Sequence, residues 1–223
     1  MFADRISGIK DRIHGYKSSG LTLFATSSFQ TNSVLLLHII SRIDNQIPIY
    51  FLNTGYHFPE TLLFKSDLKR LLNINVIDLS PQTPKNQQRD ANGRLMYASD
   101  PDYCCYMNKV QPLEPIKQNH DVWMSGIRGD QNENRTKKGF EEKEGDLTRF
   151  HPIIDWSNKD VYDYLSHYDL PRHPLEEKGY LSIGCQPCTQ KYMSGEDERT
   201  GRWNGLNKTE CGLHTVTKDE SAA

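Results

Sequence analysis

An α/β fold, with a mostly parallel sheet and helices on both faces, is what this sequence predicts, and three observations predict it. Short β-prone runs alternate with segments of helical length whose apolar residues recur at every third or fourth position. The connections between successive β-prone runs suit crossover helices and so imply βαβ units. Two of the runs end in small polar residues, Ser27-Ser28 and Asn53-Thr54-Gly55, at the carboxyl ends of strands, where such sheets bind ligands.

Taken in order, the first segment, to about Tyr16, carries Ile6, Ile9 and Ile13 at helical spacing and reads as an amphipathic helix. Residues 21–26 form the first β-prone run, and 33–40 follow as an apolar stretch of helical length. Residues 47–52 read as a second buried strand. Pro59 stands at a first helical position ahead of Leu62, Leu63, Phe64, Leu68, Leu71 and Leu72, which share one face. Residues 75–79 and 122–125 read as the third and fourth strands. The polar stretch 128–144, with Gly129, Asp130, Asn132, Asn134 and Gly139, reads as a loop whose length suits either a functional loop or disorder. Residues 155–168 predict a helix capped by Ser157 or Asn158, with Val161, Tyr164 and Leu165 facing inward. The final residues, 217–223, read as a frayed tail.

The chain has 223 residues, 27 Lys and Arg against 29 Asp and Glu, a formal charge of −2 and 36% hydrophobic residues. This length can bury a core without disulfides, and the charge balance argues against a nucleic-acid partner. The longest apolar stretch, 34–40, is interrupted by His38 and falls short of the roughly 18 residues that a membrane span needs. The start carries no basic region followed by an apolar one, so the expectation is a reducing cytoplasm without a membrane partner.

In a reducing compartment five cysteines, Cys104, Cys105, Cys185, Cys188 and Cys211, read as ligands or nucleophiles before they read as disulfides. The first four form two close pairs. Cys185-Gln186-Pro187-Cys188 has the spacing that lets two thiolates face one metal, and an all-sulfur set suits zinc or an iron–sulfur cluster. Adjacent cysteines cannot easily aim both sulfurs at one small ion, whereas a cubane offers each its own corner, so the pair Cys104-Cys105 favours a 4Fe-4S cluster. The plainer reading makes Cys185 and Cys188 a redox pair and Cys104 and Cys105 buried small hydrophobes. Cys211, in the Gly-bearing polar segment Glu210-Cys211-Gly212-Leu213-His214, is either a nucleophile or an incidental surface thiol.

Lys109, Arg128, Arg135, Arg199 and Arg202 are candidate anion-binding residues, because guanidinium forks match sulfate and phosphate oxygens. Ser27, Ser28 and Thr31 add hydroxyl and backbone donors at a strand–helix junction, with helix capping as their ordinary alternative. His57, His151, His173 and His214 show no metal-ligand spacing.

Together these residues resemble the assimilatory adenylyl-sulfate reductases of the adenosine-phosphosulfate/phosphoadenosine-phosphosulfate reductase family. The resemblance runs from about Leu21 to His214. It rests on Thr54-Gly55, Phe58-Pro59-Glu60-Thr61, Cys104-Cys105 with Lys109 and Pro112-Leu113, and Gly126-Ile127-Arg128-Gly129-Asp130-Gln131 with Arg135. Cys185-Gln186-Pro187-Cys188-Thr189, Glu198-Arg199-Thr200-Gly201-Arg202-Trp203 and Glu210-Cys211-Gly212-Leu213-His214 complete it. It implies an adenine-nucleotide α-hydrolase-like fold, with one domain over 1–203 carrying one 4Fe-4S cluster on Cys104, Cys105, Cys185 and Cys188, and a mobile tail over 204–223 carrying the nucleophile Cys211. It also implies adenylyl sulfate as substrate, held by Arg128, Arg135, Arg199 and Arg202, with Lys109 between cluster and substrate, thioredoxin or a similar dithiol as reductant, and room for a homo-oligomer. Phosphoadenylyl sulfate is the alternative substrate. An ATP-pyrophosphatase-type thiolation enzyme and a non-catalytic zinc or redox module are the competing classes. The chain departs from the family pattern at Gly129, where a second Arg is frequent, and over 27–33, where relatives carry a Gly-Ala-Glu-Asp type run.

Overall fold

The computed structural model describes residues 2–192, 201–203, 208, 210, 212 and 213. Helix α1 (Phe2–Ser18) buries Ile9 and Ile13, the stripe expected of it. Strand β1 (Leu23–Thr26) leads to α2 (Thr31–Ile43), and β2 (Ile49–Leu52) to α3 (Pro59–Leu72). Pro59 opens α3, where a missing N–H costs nothing, and Asn73 closes it in the left-handed conformation at φ 50°. Strand β3 (Val76–Leu79) follows.

The chain between β3 and the next strand holds helix that periodicity did not predict. Two short pieces, α4 (Met96–Ser99) and α5 (Pro101–Cys105), run into a π turn (Tyr106–Val110) and then α6 (Gln111–Gln118). In the π turn the Gln111 N–H donates to the Tyr106 carbonyl, five residues back. Pro112 and Pro115 lie within α6 and withhold two backbone donors, which is why a pattern reading takes this stretch for a break.

Strand β4 (Val122–Ser125) is where the sequence places it. The expected loop over 128–144 is instead a 3-10 turn (Gly129–Gln131), a one-turn helix α7 (Glu133–Thr136) and a strand β5 (Glu141–Glu144), paired antiparallel with β6 (Leu147–Phe150). Four consecutive charged residues hide β5 from any hydrophobic pattern. It sits at the sheet edge, where charge is tolerated and discourages further pairing, and Gly145, at φ 61°, makes the turn into β6. Helix α8 (Asn158–His167) is N-capped by Ser157, whose hydroxyl accepts from the Asp160 N–H while the Asp160 carboxylate accepts from the Ser157 N–H.

The six strands run in the order β3-β2-β1-β4-β6-β5, parallel throughout except for β5. Alternate residues separate the two faces. Ala25, Ile49, Phe51, Met124 and Phe150 pack with residues of α1, α2, α3 and α8. Phe24, Tyr50, Leu52, Trp123 and Leu147 face the other way, against Leu113 and Ile116 of α6. Among the described residues, helices cover both faces, with α1, α2, α3 and α8 on one and α6 on the other. No helix among the described residues is long and apolar enough to cross a membrane.

His173 ties the chain beyond α8 to α3. Its ring is 1% exposed, its Nδ1 accepts the Leu175 N–H at 3.2 Å, and its Nε2 lies 3.0 Å from Thr61 Oγ1. With Nδ1 an acceptor, Nε2 carries the proton and the folded ring is neutral. Burial lowers its pKa to about 4, and burial followed by Arg149 does the same for His151. Both rings bind protons more readily once unfolded, so their stabilising contribution is complete above about pH 6.5 and is lost as pH falls toward 4. The thermal midpoint should therefore drop between pH 6.5 and 4; a flat midpoint over that window contradicts this account.

Candidate active site

The strand ends meet in one cleft. Its walls are Ser27, Ser28, Gln30, Asn32 and Ser33 from the β1–α2 connection, His57 beyond β2, Lys109 from the π turn, and Ser125, Gly126 and Ile127 at the end of β4. Gln131, Arg135, Gly184, Cys185, Arg202, Trp203 and Leu213 complete it. The cleft encloses about 1060 Å³, including the part open to solvent, within reach of a nucleotide-sized ligand. After β1 the chain turns sharply: Ser27 Oγ accepts the Phe29 N–H at 3.1 Å, and Phe29 adopts φ 54° with its ring fully buried. Ser28 Oγ lies 3.3 Å from Ser33 Oγ. Gln30 caps α2 without a side-chain hydrogen bond, so the first-turn N–H groups lack a side-chain cap beside the cleft, an arrangement suited to an anion.

A smaller cavity adjoins this cleft and shares Lys109, Cys185, Arg202 and Trp203 with it. Cys104, Cys105, Cys185 and Cys188 all line it, none in a disulfide. Cys104 and Cys105 end α5. Asn108 and Lys109 follow them one helical turn later, on the same face. Asn108 Nδ2 lies 3.5 Å from Cys104 Sγ and donates to the Cys104 carbonyl at 2.8 Å, while its amide exchanges hydrogen bonds with Gln88 at 2.7 and 3.0 Å. Cys185 and Cys188 flank a 3-10 turn (Gln186–Cys188). That turn is fixed by the Gln186 N–H on the Tyr56 carbonyl at 2.7 Å and by Thr54 Oγ1, 3.3 Å from Cys185 Sγ.

The electrostatics of the four thiols test what they can hold. Burial, then the proximity of Cys105, Cys185 and Cys188, pushes the Cys104 thiol up to about 12. Burial, then Cys185 and Cys105, raises Cys188, with Lys109 and Arg202 acting in the opposite direction. The raised thiols of Cys104 and Cys188 would gain from a bound cation, and the soft, all-sulfur donor set around the cavity fits a thiophilic metal centre. Among the described residues no three Cys, His, Asp or Glu side chains stand close enough to hold a single metal ion.

The anion-binding candidates divide. Lys109 and Arg202 line both cavities. Arg202 donates from Nε to the Cys188 carbonyl at 3.3 Å, and its guanidinium lies against Gly184, where any Cβ would collide with it. The strip carrying it is bound to the cysteine turn by the Trp203 N–H on the Cys188 carbonyl at 3.1 Å and the Gln190 N–H on the Gly201 carbonyl at 2.7 Å. Arg135 lines the cleft but is engaged by Glu210. Arg128, 1% exposed, pairs with Asp130 at 3.0 Å, with Nη2 3.4 Å from Asn158 Oδ1. Thr31 Oγ1 accepts the His173 N–H at 3.0 Å and bonds Glu176. Arg199 and Cys211 lie outside the described residues.

Sequence reasoning missed Gln88 and Asn108 as parts of the site, and it placed Thr54 and Glu210 in motifs without giving either side chain a role. Asn108 carried a signal in its spacing of four from Cys104. The contacts of Gln88, Thr54 and Glu210 are distant in the chain, and no local pattern encodes them.

Residues 22–191 match the family described as the phosphoadenosine phosphosulfate reductase domain. A Streptomyces coelicolor protein named adenosine 5'-phosphosulfate reductase is 39% identical over 192 residues, covering 85% of this chain and 80% of the relative. A Bacillus subtilis protein named adenosine 5'-phosphosulfate reductase 1 is 37% identical over 202 residues, covering 89% and 87%. Among solved structures, phosphoadenylyl-sulfate reductase from Candida auris superposes with a TM-score of 0.69 at 18% identity, covering 82% of this chain and 89% of that one. The NAD synthetase of Campylobacter jejuni superposes at 0.54 and 12% identity, covering 76% and 74%. These two likenesses establish the adenine-nucleotide α-hydrolase-like fold; the sequence match over most of the chain establishes that it belongs to the phosphoadenosine phosphosulfate reductase domain family.

Proposed function

We propose that this chain reduces adenylyl sulfate to sulfite and AMP, with Cys211 as nucleophile and a thioredoxin-type dithiol as reductant, in a reducing cytoplasm. The observation that carries the reading is the junction of two cavities: a cleft at the strand ends and a pocket lined by four thiols, joined through Lys109 and Arg202. The names of the curated relatives support adenylyl sulfate as the substrate.

In this scheme the Cys211 thiolate attacks the sulfur of the sulfate group. The bond from that sulfur to the bridging phosphate oxygen breaks, AMP leaves with the electron pair, and Cys211 becomes S-sulfocysteine. One thiolate of the reductant then attacks Cys211 Sγ and expels sulfite, and its second thiol resolves the mixed disulfide, so the dithiol supplies both electrons. Thiolate attack on an anion is opposed by charge repulsion, which Lys109, Arg202 and Arg199 would offset along with the uncapped start of α2. Ser27 and Ser28 would add hydroxyl donors beside the phosphate. Cys104, Cys105, Cys185 and Cys188 would hold the 4Fe-4S cluster, which when bound supplies fixed charge and joins the 101–118 helix to the 185–188 turn. The body over 1–203 would present substrate and the tail over 204–223 the nucleophile, which has to meet both substrate and a protein reductant.

The deciding assay supplies thioredoxin and compares sulfite release from adenylyl sulfate and from phosphoadenylyl sulfate. Release from adenylyl sulfate supports the reading, release from phosphoadenylyl sulfate alone moves the specificity, and release from neither overturns it. Arg202→Ala should weaken adenylyl sulfate binding by about tenfold or more, the scale of a lost charge-assisted hydrogen bond, with the thermal midpoint retained. Unchanged affinity in a nucleotide titration would remove Arg202 from the anion site.

A further inference from the structure

Glu210 immediately precedes Cys211 in the chain, and Gly212 and Leu213 follow it. The Glu210 carboxylate is buried, 5% exposed. Arg135 grips it with both edges of the fork, Nε donating to Oε2 at 2.8 Å and Nη2 to Oε1 at 2.8 Å, and Asn132 Nδ2 donates to Oε2 at 3.0 Å. The remaining nitrogen of Arg135, Nη1, bonds Gln131 Oε1. Asn132 is itself fixed, because its Oδ1 caps α7 by accepting the Arg135 N–H at 2.9 Å. On the other side of position 211, the Leu213 carbonyl accepts from Arg149 Nη2 at 3.1 Å. Arg149 is held over the Trp123 ring at 4.3 Å and paired with Glu144 at 3.4 Å. Between these grips Gly212 runs against α5, where a Cβ would meet the Cβ of Cys105 at 3.3 Å.

A buried carboxylate beside a cleft meant for an anionic substrate is unfavourable unless its charge is cancelled in place. Arg135 does this with a two-pronged bond, and each of its three nitrogens already has a protein acceptor. We propose that Arg135, Asn132 and Arg149 are positioning residues that clasp the chain on both sides of Cys211, Arg135 through its two-pronged bond to Glu210. The clasp holds the chain at Glu210 and at Leu213, on either side of the nucleophile in sequence. It rests on the reductase reading only in taking Cys211 as the nucleophile.

The test uses the full-length chain purified without oxygen, as wild type, Glu210→Gln, Arg135→Gln, the double variant and the charge exchange Arg135→Glu with Glu210→Arg. Alkylation of Cys211 by iodoacetamide, followed by peptide mass spectrometry, reads the clasp without any turnover. Each single variant should raise that alkylation rate and lower kcat by about tenfold or more, with KM for adenylyl sulfate held within about twofold. The double variant should be no worse than either single one, as expected of two residues in one interaction, and the charge exchange should recover part of the loss. The proposal is overturned if Glu210→Gln leaves alkylation and kcat unchanged. It is also overturned if Arg135→Gln weakens adenylyl sulfate binding while Glu210→Gln tightens it, since Arg135 would then serve the substrate. If the wild type shows no turnover of adenylyl sulfate, the reductase reading fails by itself and the alkylation rates still decide the clasp.

Discussion

Exchanging Cys211 for serine should stop sulfite formation, lowering kcat by roughly 10⁴-fold or more, as expected when a covalent nucleophile is removed. A thiolate is the reactive form of cysteine and its sulfur is intrinsically nucleophilic; a serine hydroxyl is a poor nucleophile without a base beside it. The same variant should bind adenylyl sulfate as the wild type does, because the polar donors of the cleft, Ser27, Ser28, Lys109 and Arg202, lie outside the tail. In the wild type, incubation with substrate but no reductant should add one sulfo group to the Cys211 peptide by mass, and dithiol should remove it as sulfite. Turnover by the serine variant at a rate near that of the wild type would place the nucleophile elsewhere.

Nearly as large an effect is expected from Cys188→Ser. Anaerobically purified wild-type chain should be brown and carry about four irons and four sulfides, the stoichiometry of a cubane on four thiolates. Removing one ligand should lower the iron content by about tenfold or more and lower the thermal midpoint, since metal-binding free energy is also folding free energy. The loss of stability has a specific location here. Cys188 accepts backbone and side-chain donors from Trp203 and Arg202, so loosening its turn loosens the strip that carries the cleft arginine. Zinc at one per chain, without colour, would reassign the centre to a structural ion, and unchanged iron in the variant would remove Cys188 from the ligand set.

Periodicity made α1, α2, α3, α8 and the first four strands legible, because each presents apolar residues to one large core and the spacing records which face is inward. It failed where structure is held by other forces. Residues 96–118 fold as helix despite Pro101, Pro112 and Pro115, since a π turn and short helical pieces absorb the missing donors. Strand β5 carries only charge and exists by pairing with β6. In the site, the cysteines and Lys109 were legible because ligand and helix spacing are local properties of the chain. Arg128 and Arg135 were legible only in the sense that guanidinium groups suit anions; the carboxylates that pair with them, Asp130 and Glu210, depend on how the 128–136 segment folds and on a contact distant in the chain.

The π turn after Cys105 is also a phase shift. One residue more than an α-helical turn requires stands between the cysteine pair and α6, and each residue advances a helix by about 100°. Deleting a single residue from 106–110 would restore a regular helix and rotate Cys104 and Cys105 by about that angle against Leu113 and Ile116. The helix would then satisfy either the thiol cavity or the second sheet face, but not both at once.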